Sequence, residues 1–114
     1  MHTMALLHKI NKMDPTVITA ESVVRLATIG GAKVLRKDKL IGSLEIGKKA
    51  DIILIDKELP NVVPYYNIYS AIVYSLLGNE ITDVIINGKI VMKNNIVQTI
   101  DEKAVISEVH KIAK

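Results

Sequence analysis

Residues 42–56 read Gly42-Ser43-Leu44-Glu45-Ile46-Gly47-Lys48-Lys49-Ala50-Asp51-Ile52-Ile53-Leu54-Ile55-Asp56, and two folds compete for them. The first half has the spacing of a phosphate-binding loop, with Gly42, Gly47 and then Lys48. The next residue is Lys49, where such a loop needs a Ser or Thr hydroxyl for magnesium. The order is also inverted, because a phosphate loop follows a strand and opens a helix, whereas this one leads into an extended run. Leu44 and Ile46 are instead read as a short β-bridge or anchoring pair. Ile52 to Ile55, bounded by Asp51 and Asp56, are four aliphatic residues in a row. They predict a short strand buried on both faces. The stretch is a glycine turn feeding a strand, not a nucleotide site.

Downstream, residues 82–86 and 89–92 are β-rich runs joined by Asn87-Gly88. This predicts a hairpin with a type I′ turn, whose two central residues both need positive φ. Asn94-Asn95 leads to a third strand around residues 96–99. Asp101 caps a last helix with a stripe of Val105, Val109, Ile112 and Ala113. Between strand and hairpin, Pro60 and Pro64 mark residues 61–66 as loop. Asn67 then caps a short helix in which Ile68, Ile72 and Val73 face inward, ending before Gly78.

Upstream, Thr19 caps a helix with Glu21 in its first turn and Val23, Leu26, Ala27 and Gly30 on one face. Gly30-Gly31 is expected to break it, leaving one further turn at residues 32–35 and a charged loop at 36–39. Residues 1–13 form the first helix, with Met4, Leu7, Ile10 and Met13 on one side, stopped by Asp14-Pro15. Its periodic pattern is already running at the first residue, so a preceding segment is expected. The order is two helices, a strand, a short helix, a β-meander and a final helix: a mixed α+β chain without internal repeats.

The 114 residues are 49% hydrophobic and 24% charged, a globular composition with room for one small domain or part of a larger one. With no Phe or Trp the core must be aliphatic and thin. The net charge of +3 comes from scattered lysines. Only Arg25 and Arg36 are arginines, and no basic stripe interleaves with aromatics, so nucleic acid is not the expected partner. There is no cysteine, hence no disulfide and no thiolate ligand. Neither a signal peptide nor a membrane span is evident, and a cytoplasmic location is expected.

Chemistry-bearing residues do not assemble into a site. His2 and His8 are six residues apart, about 240° around a helix, and His110 stands between the inward-facing Val109 and Ile112. All three read as surface or boundary residues. Asp51 and Asp56 point to opposite faces of a strand, so Asp51 is assigned to satisfying backbone donors in the turn. Ser43 has neither a nucleophile-elbow context nor an obvious base. Tyr65, Tyr66, Tyr69 and Tyr74 pack around the proline-rich loop. No catalytic, cofactor-binding or metal-ligating residue is assigned to this chain.

Residues 42–56 resemble a segment near the C-terminal end of amidohydrolase-superfamily enzymes, carried by Gly42, Ile46, Gly47, Ala50-Asp51, Ile52 to Ile55 and Asp56. Residues 22–35, running into Gly31-Ala32, and residues 67–92, ending in the Asn87-Gly88 hairpin, agree in order and spacing. Within the superfamily the chain is most similar to 5-methylthioadenosine/S-adenosylhomocysteine deaminases, through Leu59-Pro60 and residues 74–78. Chlorohydrolase-like and guanine-deaminase-like relatives are close. One departure is Arg36 after Leu35, where the family often has glycine, which bears on the geometry of that loop.

The resemblance implies a parent with a (β/α)8 barrel and a composite β-sandwich, active sites lying at the C-terminal ends of barrel strands. A divalent metal, usually zinc, would activate water for deamination. The family's ligands, a His-x-His pair, two later histidines and an aspartate, do not map onto this sequence. Residues 1–41 are then the terminal barrel helices. Residues 42–100 are the C-terminal share of the sandwich with a short helix near 67–77, and residues 101–114 the last helix. The chain alone is expected to be inactive. Its partners would be the N-terminal portion of the enzyme, a nucleoside substrate in the parent, and a second copy in a homo-oligomer. The alternative is a non-catalytic interaction module or split subunit completing the fold in trans.

Overall fold

Thr19 accepts the Ser22 N–H on its hydroxyl oxygen at 3.1 Å, starting a helix that outruns its expected end. In the computed structural model, which describes residues 1–113, helix α1 spans His2–Lys12 and α2 spans Ala20–Arg25. Helix α2 continues through a π-helical turn, Leu26–Gly30, into α3, Gly31–Val34. The expected break at Gly30-Gly31 is therefore corrected. Both glycines keep right-handed backbone, with φ of −63° and −60°. The Thr28 hydroxyl donates back to the Val24 carbonyl at 2.8 Å, and the wide turn absorbs an extra residue.

The stop comes at Arg36, φ 56°. Its N–H donates to the Lys33 carbonyl at 2.9 Å, and the Lys37 N–H to the Ala32 carbonyl at 2.8 Å. This paired arrangement is a Schellman motif, whose left-handed position glycine normally fills. The departure at Arg36 thus leaves the loop geometry in place and puts a side chain into it. Met13, φ 50°, closes α1 in the same way, through the Ile10 and Lys9 carbonyls. That happens two residues before Pro15, the expected breaker.

Asn67 accepts the Ser70 N–H at 3.0 Å to start α4, Ile68–Ser70, which runs into a second π-helical turn, Ala71–Ser75. This unit packs on α1 and α2. The three meet at Ala5, Val23 and Val73, ringed by Met4, Ile18, Ala20, Val24 and Tyr74. The smallest side chain of α1 faces the neighbours and lets the helices close up. Leu7, Ile10 and Met13, expected inside, are exposed instead, as are Leu26 and Ile68. Ala71 and Val73 occupy the inner positions of the short helix.

Strands β1 (Ile52–Ile55), β2 (Ile81–Ile86), β3 (Lys89–Lys93) and β4 (Ile96–Val97) form one antiparallel sheet in that order. Ile53 opposes Val84, Ile85 opposes Ile90, and Met92 opposes Val97. Asn87 and Gly88 have φ of 51° and 78°, as a type I′ turn requires, and Asn94 and Asn95 repeat the pattern. The third meander strand is shorter than expected. Three further expectations need correction. Ile53 and Leu54 of β1, which point to opposite faces, are about half exposed, because the contacts of β1 run to its neighbour β2 and not to an element lying over either face. Leu44 and Ile46 are exposed on a turn and form no bridge. Helix α5, Glu102–Ile112, is capped by Asp101, which accepts the Ala104 N–H at 3.1 Å. Its Val105, Val109 and Ile112 nevertheless stay exposed.

These bare faces have a measurable sum. The radius of gyration is 17.5 Å, against roughly 13 Å for a compact chain of this length. The accessible surface is 8949 Å², where a folded monomer of this mass exposes about 6,200 Å². The excess, roughly 2,700 Å², is of the order that obligate partners bury. Among the described residues no helix is long and apolar enough to cross a membrane.

Candidate functional site

Gly42 brings the family-like turn against the helices. Its φ is +94°, and a Cβ built there would lie 2.7 Å from the Ala32 Cβ and 3.0 Å from the Ile29 Cα. Only glycine satisfies both the left-handed backbone and the close approach. Beyond it, the Ser43 hydroxyl donates to Glu45 Oε1 at 2.5 Å, and Lys48 Nζ donates to Ser43 Oγ at 2.6 Å. Lys48 also pairs with the Glu45 carboxylate at 3.1 Å. Ser43, chiefly, and Lys48 hold the Glu45 carboxyl below the usual carboxylate range. The phosphate-loop spacing is thus filled by the chain's own anion. Ser43 has a lysine neighbour that the sequence did not suggest, yet an ammonium donating to Ser43 Oγ cannot take its proton, so no nucleophile is generated. Gly47, φ +91°, turns in open space.

Ala50 and Asp51 reach across to the hairpin. The Asn87 N–H donates to Asp51 Oδ1 at 2.7 Å and the Gly88 N–H to the Ala50 carbonyl at 3.0 Å. Asp51 does satisfy a turn's backbone donor, but the turn is the hairpin's, 36 residues away. Asp56, at the other end of β1, accepts the Glu58 N–H at 2.9 Å and donates its own N–H to the Glu80 carbonyl at 2.8 Å. The two aspartates serve separate turns. Of the motif residues, Ala50, Asp51, Asn87 and Gly88 tie the start of β1 to the hairpin, Gly42 sets the turn against the helix, Asp56 serves the turn after β1, and Gly47 touches none of them.

Glu80 is the polar residue that sequence reasoning missed. It is 3% exposed, and its carboxylate accepts the Leu77 and Gly78 N–H groups at 3.0 and 2.8 Å and the Asn61 side-chain amide. Its carboxyl is held below the usual range, first by its own backbone N–H and then by the Gly78, Asn61 and Leu77 donors, against the opposing pull of burial. The available signal was an acidic residue opening an aliphatic run directly after Gly78-Asn79.

The histidines do not converge. His2 packs edge-on to Tyr74, with ring centres 5.8 Å apart, and His8 and His110 are exposed on different helices. Lys9 Nζ donates to the Tyr74 hydroxyl at 2.9 Å. Its 5.1 Å separation from the ring centre follows from that bond and adds no second interaction. Tyr65, Tyr66 and Tyr74 line a shallow groove of about 310 Å³ with Pro64; Tyr69 is not part of its wall. A second, largely apolar groove of about 430 Å³ runs between the long helix and the glycine turn, past Ala27, Ala32, Leu35, Ile41 and Leu44. Among the described residues no three His, Asp or Glu side chains stand where they could share a metal ion. A hydrolytic zinc needs three protein ligands, and the donors present here do not fit one.

Comparison with known proteins places this scaffold. A family profile described as the amidohydrolase family matches residues 1–91. The 5-methylthioadenosine/S-adenosylhomocysteine deaminase 1 of Syntrophus aciditrophicus is 46% identical across all of this chain and 26% of that protein. The 5'-deoxyadenosine deaminase of Methanosarcina mazei is 40% identical over the same shares. The chain thus spans about a quarter of the length of the curated relatives it matches. Among solved structures, a zinc-bound adenosine deaminase from Xanthomonas campestris superposes with a TM-score of 0.90 at 31% identity. That match covers 96% of this chain and 25% of the other.

Proposed function

The chain belongs to the amidohydrolase family, and from that premise we propose that it is the C-terminal structural segment of a metal-dependent enzyme deaminating an adenosine-type nucleoside. 5-Methylthioadenosine, S-adenosylhomocysteine or a similar compound is the substrate. The observation carrying this reading is the TM-score of 0.90 against an adenosine deaminase over 96% of the chain. The names of the most similar relatives support the substrate class. In this reading residues 1–41 are terminal barrel helices, residues 42–100 are a share of a composite sandwich, and residues 101–114 are the closing helix. The roughly 2,700 Å² of surplus surface is where the rest of the enzyme docks. In this reading zinc or another divalent ion and the catalytic groups belong to that remainder; among the described residues no three His, Asp or Glu side chains stand where they could share a metal. This chain's contribution is structural: the Gly42 crossing sets the turn against the helix, and the Asp51 to Asn87 contact ties the start of β1 to the hairpin.

The test is reconstitution. The chain is mixed with the part of the Syntrophus aciditrophicus deaminase that it does not match, and ammonia release from methylthioadenosine, S-adenosylhomocysteine and 5'-deoxyadenosine is followed with zinc present. Activity in the mixture and in neither part alone is the expected result. Turnover by this chain alone, or failure of the two parts to associate, overturns the proposal.

A further inference from the structure

Asn87-Gly88 is the only Asn-Gly step in the chain, it is exposed, and Ala50 and Asp51 hold both of its amides. Asparagine is a thermolabile residue, and glycine after it leaves least steric cover for the reaction. The Gly88 nitrogen loses its proton and attacks the Asn87 side-chain carbonyl carbon. A carbon–nitrogen bond forms, ammonia leaves, and water then opens the five-membered imide to aspartate or isoaspartate. Ring closure needs two things: a free Gly88 N–H to surrender its proton, and rotation of the 87–88 peptide plane relative to the Asn87 Cα. The first is opposed by the bond to the Ala50 carbonyl at 3.0 Å. The second is opposed by the same bond, together with the Asn87 N–H to Asp51 Oδ1 contact at 2.7 Å. We propose that Asn87 is a latent deamidation site, and that the Ala50-Asp51 pair holds it chemically silent while the sheet is formed.

The consequence of release is structural. Isoaspartate carries an additional backbone carbon, and a two-residue type I′ turn has no place for it. The hairpin and its contact with β1 would be lost together.

The test measures deamidation at Asn87 by mass spectrometry of the proteolytic peptide spanning residues 81–93, in the chain incubated at mildly alkaline pH. The folded chain is expected to react at least about ten-fold more slowly than the same chain in concentrated urea, since both bonds must open first. Asp51→Ala removes one acceptor and is expected to raise the native rate several-fold. Asp51→Asn keeps an Oδ1 acceptor and is expected to stay slow. Equal rates with and without urea overturn the proposal without recourse to any variant, and so does an Asp51→Ala chain that folds and deamidates no faster. The inference rests on the hairpin contacts alone, so its failure leaves the deaminase reading standing.

Discussion

Replacing Gly42 by alanine separates two costs that usually arrive together. The backbone there has φ +94°, and the added methyl would sit 2.7 Å from the Ala32 Cβ, 3.0 Å from the Ile29 Cα and 3.3 Å from the Ile29 nitrogen. None of these atoms is the end of a flexible side chain; all three are fixed to the helix, so relief requires the loop and helix to part. A left-handed backbone costs an ordinary residue roughly 1–2 kcal/mol, and forcing an extra carbon into a closed contact costs about 1–3 kcal/mol more. Gly42→Ala is therefore expected to lose roughly 2–5 kcal/mol, a large share of the 5–15 kcal/mol typical of a domain. Gly47→Ala is the control. Its φ is +91°, yet nothing lies within 4 Å of the new Cβ, so it meets only the conformational term of roughly 1–2 kcal/mol. The assay is urea unfolding followed by far-ultraviolet circular dichroism at matched protein concentration. With a slope of about 1–2 kcal/mol per molar, the midpoint of Gly42→Ala should fall below that of Gly47→Ala by roughly one molar. Equal midpoints, or the reverse order, would refute the close crossing of turn and helix.

Three further outcomes are expected. Glu80 has its carboxyl lowered from the ordinary 4.5, so its contribution is complete above that value and is lost as pH falls through the lowered folded one. Glu80→Gln should be less stable at neutral pH and flatten the decline as pH falls below the ordinary 4.5; an unchanged acid limb would count against the buried carboxylate. Arg36→Gly relieves a side chain at φ 56° and should stabilise by about 0.5–1 kcal/mol, read as a raised urea midpoint, whereas a lowered midpoint would dispute the Schellman geometry. The isolated chain, with α5 and the outer face of α1 bare, should elute with a mass above 12.6 kDa in light scattering. A monodisperse species of 12.6 kDa would contradict that.

Local chemistry was readable wherever a feature closes on its own neighbours. Thr19, Asn67 and Asp101 cap helices because each bonds an N–H three residues on. Asn87-Gly88 turns the hairpin because few other pairs tolerate two positive φ values. The family-like run at residues 42–56 pointed to the amidohydrolase family, which the matched profile shows. Arg36 shows the boundary of such reading. The sequence flags a missing glycine, but whether the loop bends or the arginine takes the strained conformation depends on the carbonyls of Ala32 and Lys33 behind it.

What a linear reading could not supply was the orientation of each apolar face. Leu7 and Ile10 recur with helical period, as buried residues do, yet Ala5 faces the core, because close helix approach selects the smallest side chain at the crossing. Gly30-Gly31 looks like a break but lies inside one helix, where both glycines keep right-handed backbone, and the Gly42 turn crosses close to that helix at Ile29 and Ala32. Glu80 takes two donors from Leu77 and Gly78 beside it, but the third comes from Asn61, 19 residues away. Periodicity and turn preference are properties of a few consecutive residues, so the sequence alone determined elements, caps and turns. Which surfaces meet depends on groups distant along the chain, and only the tertiary structure decided it.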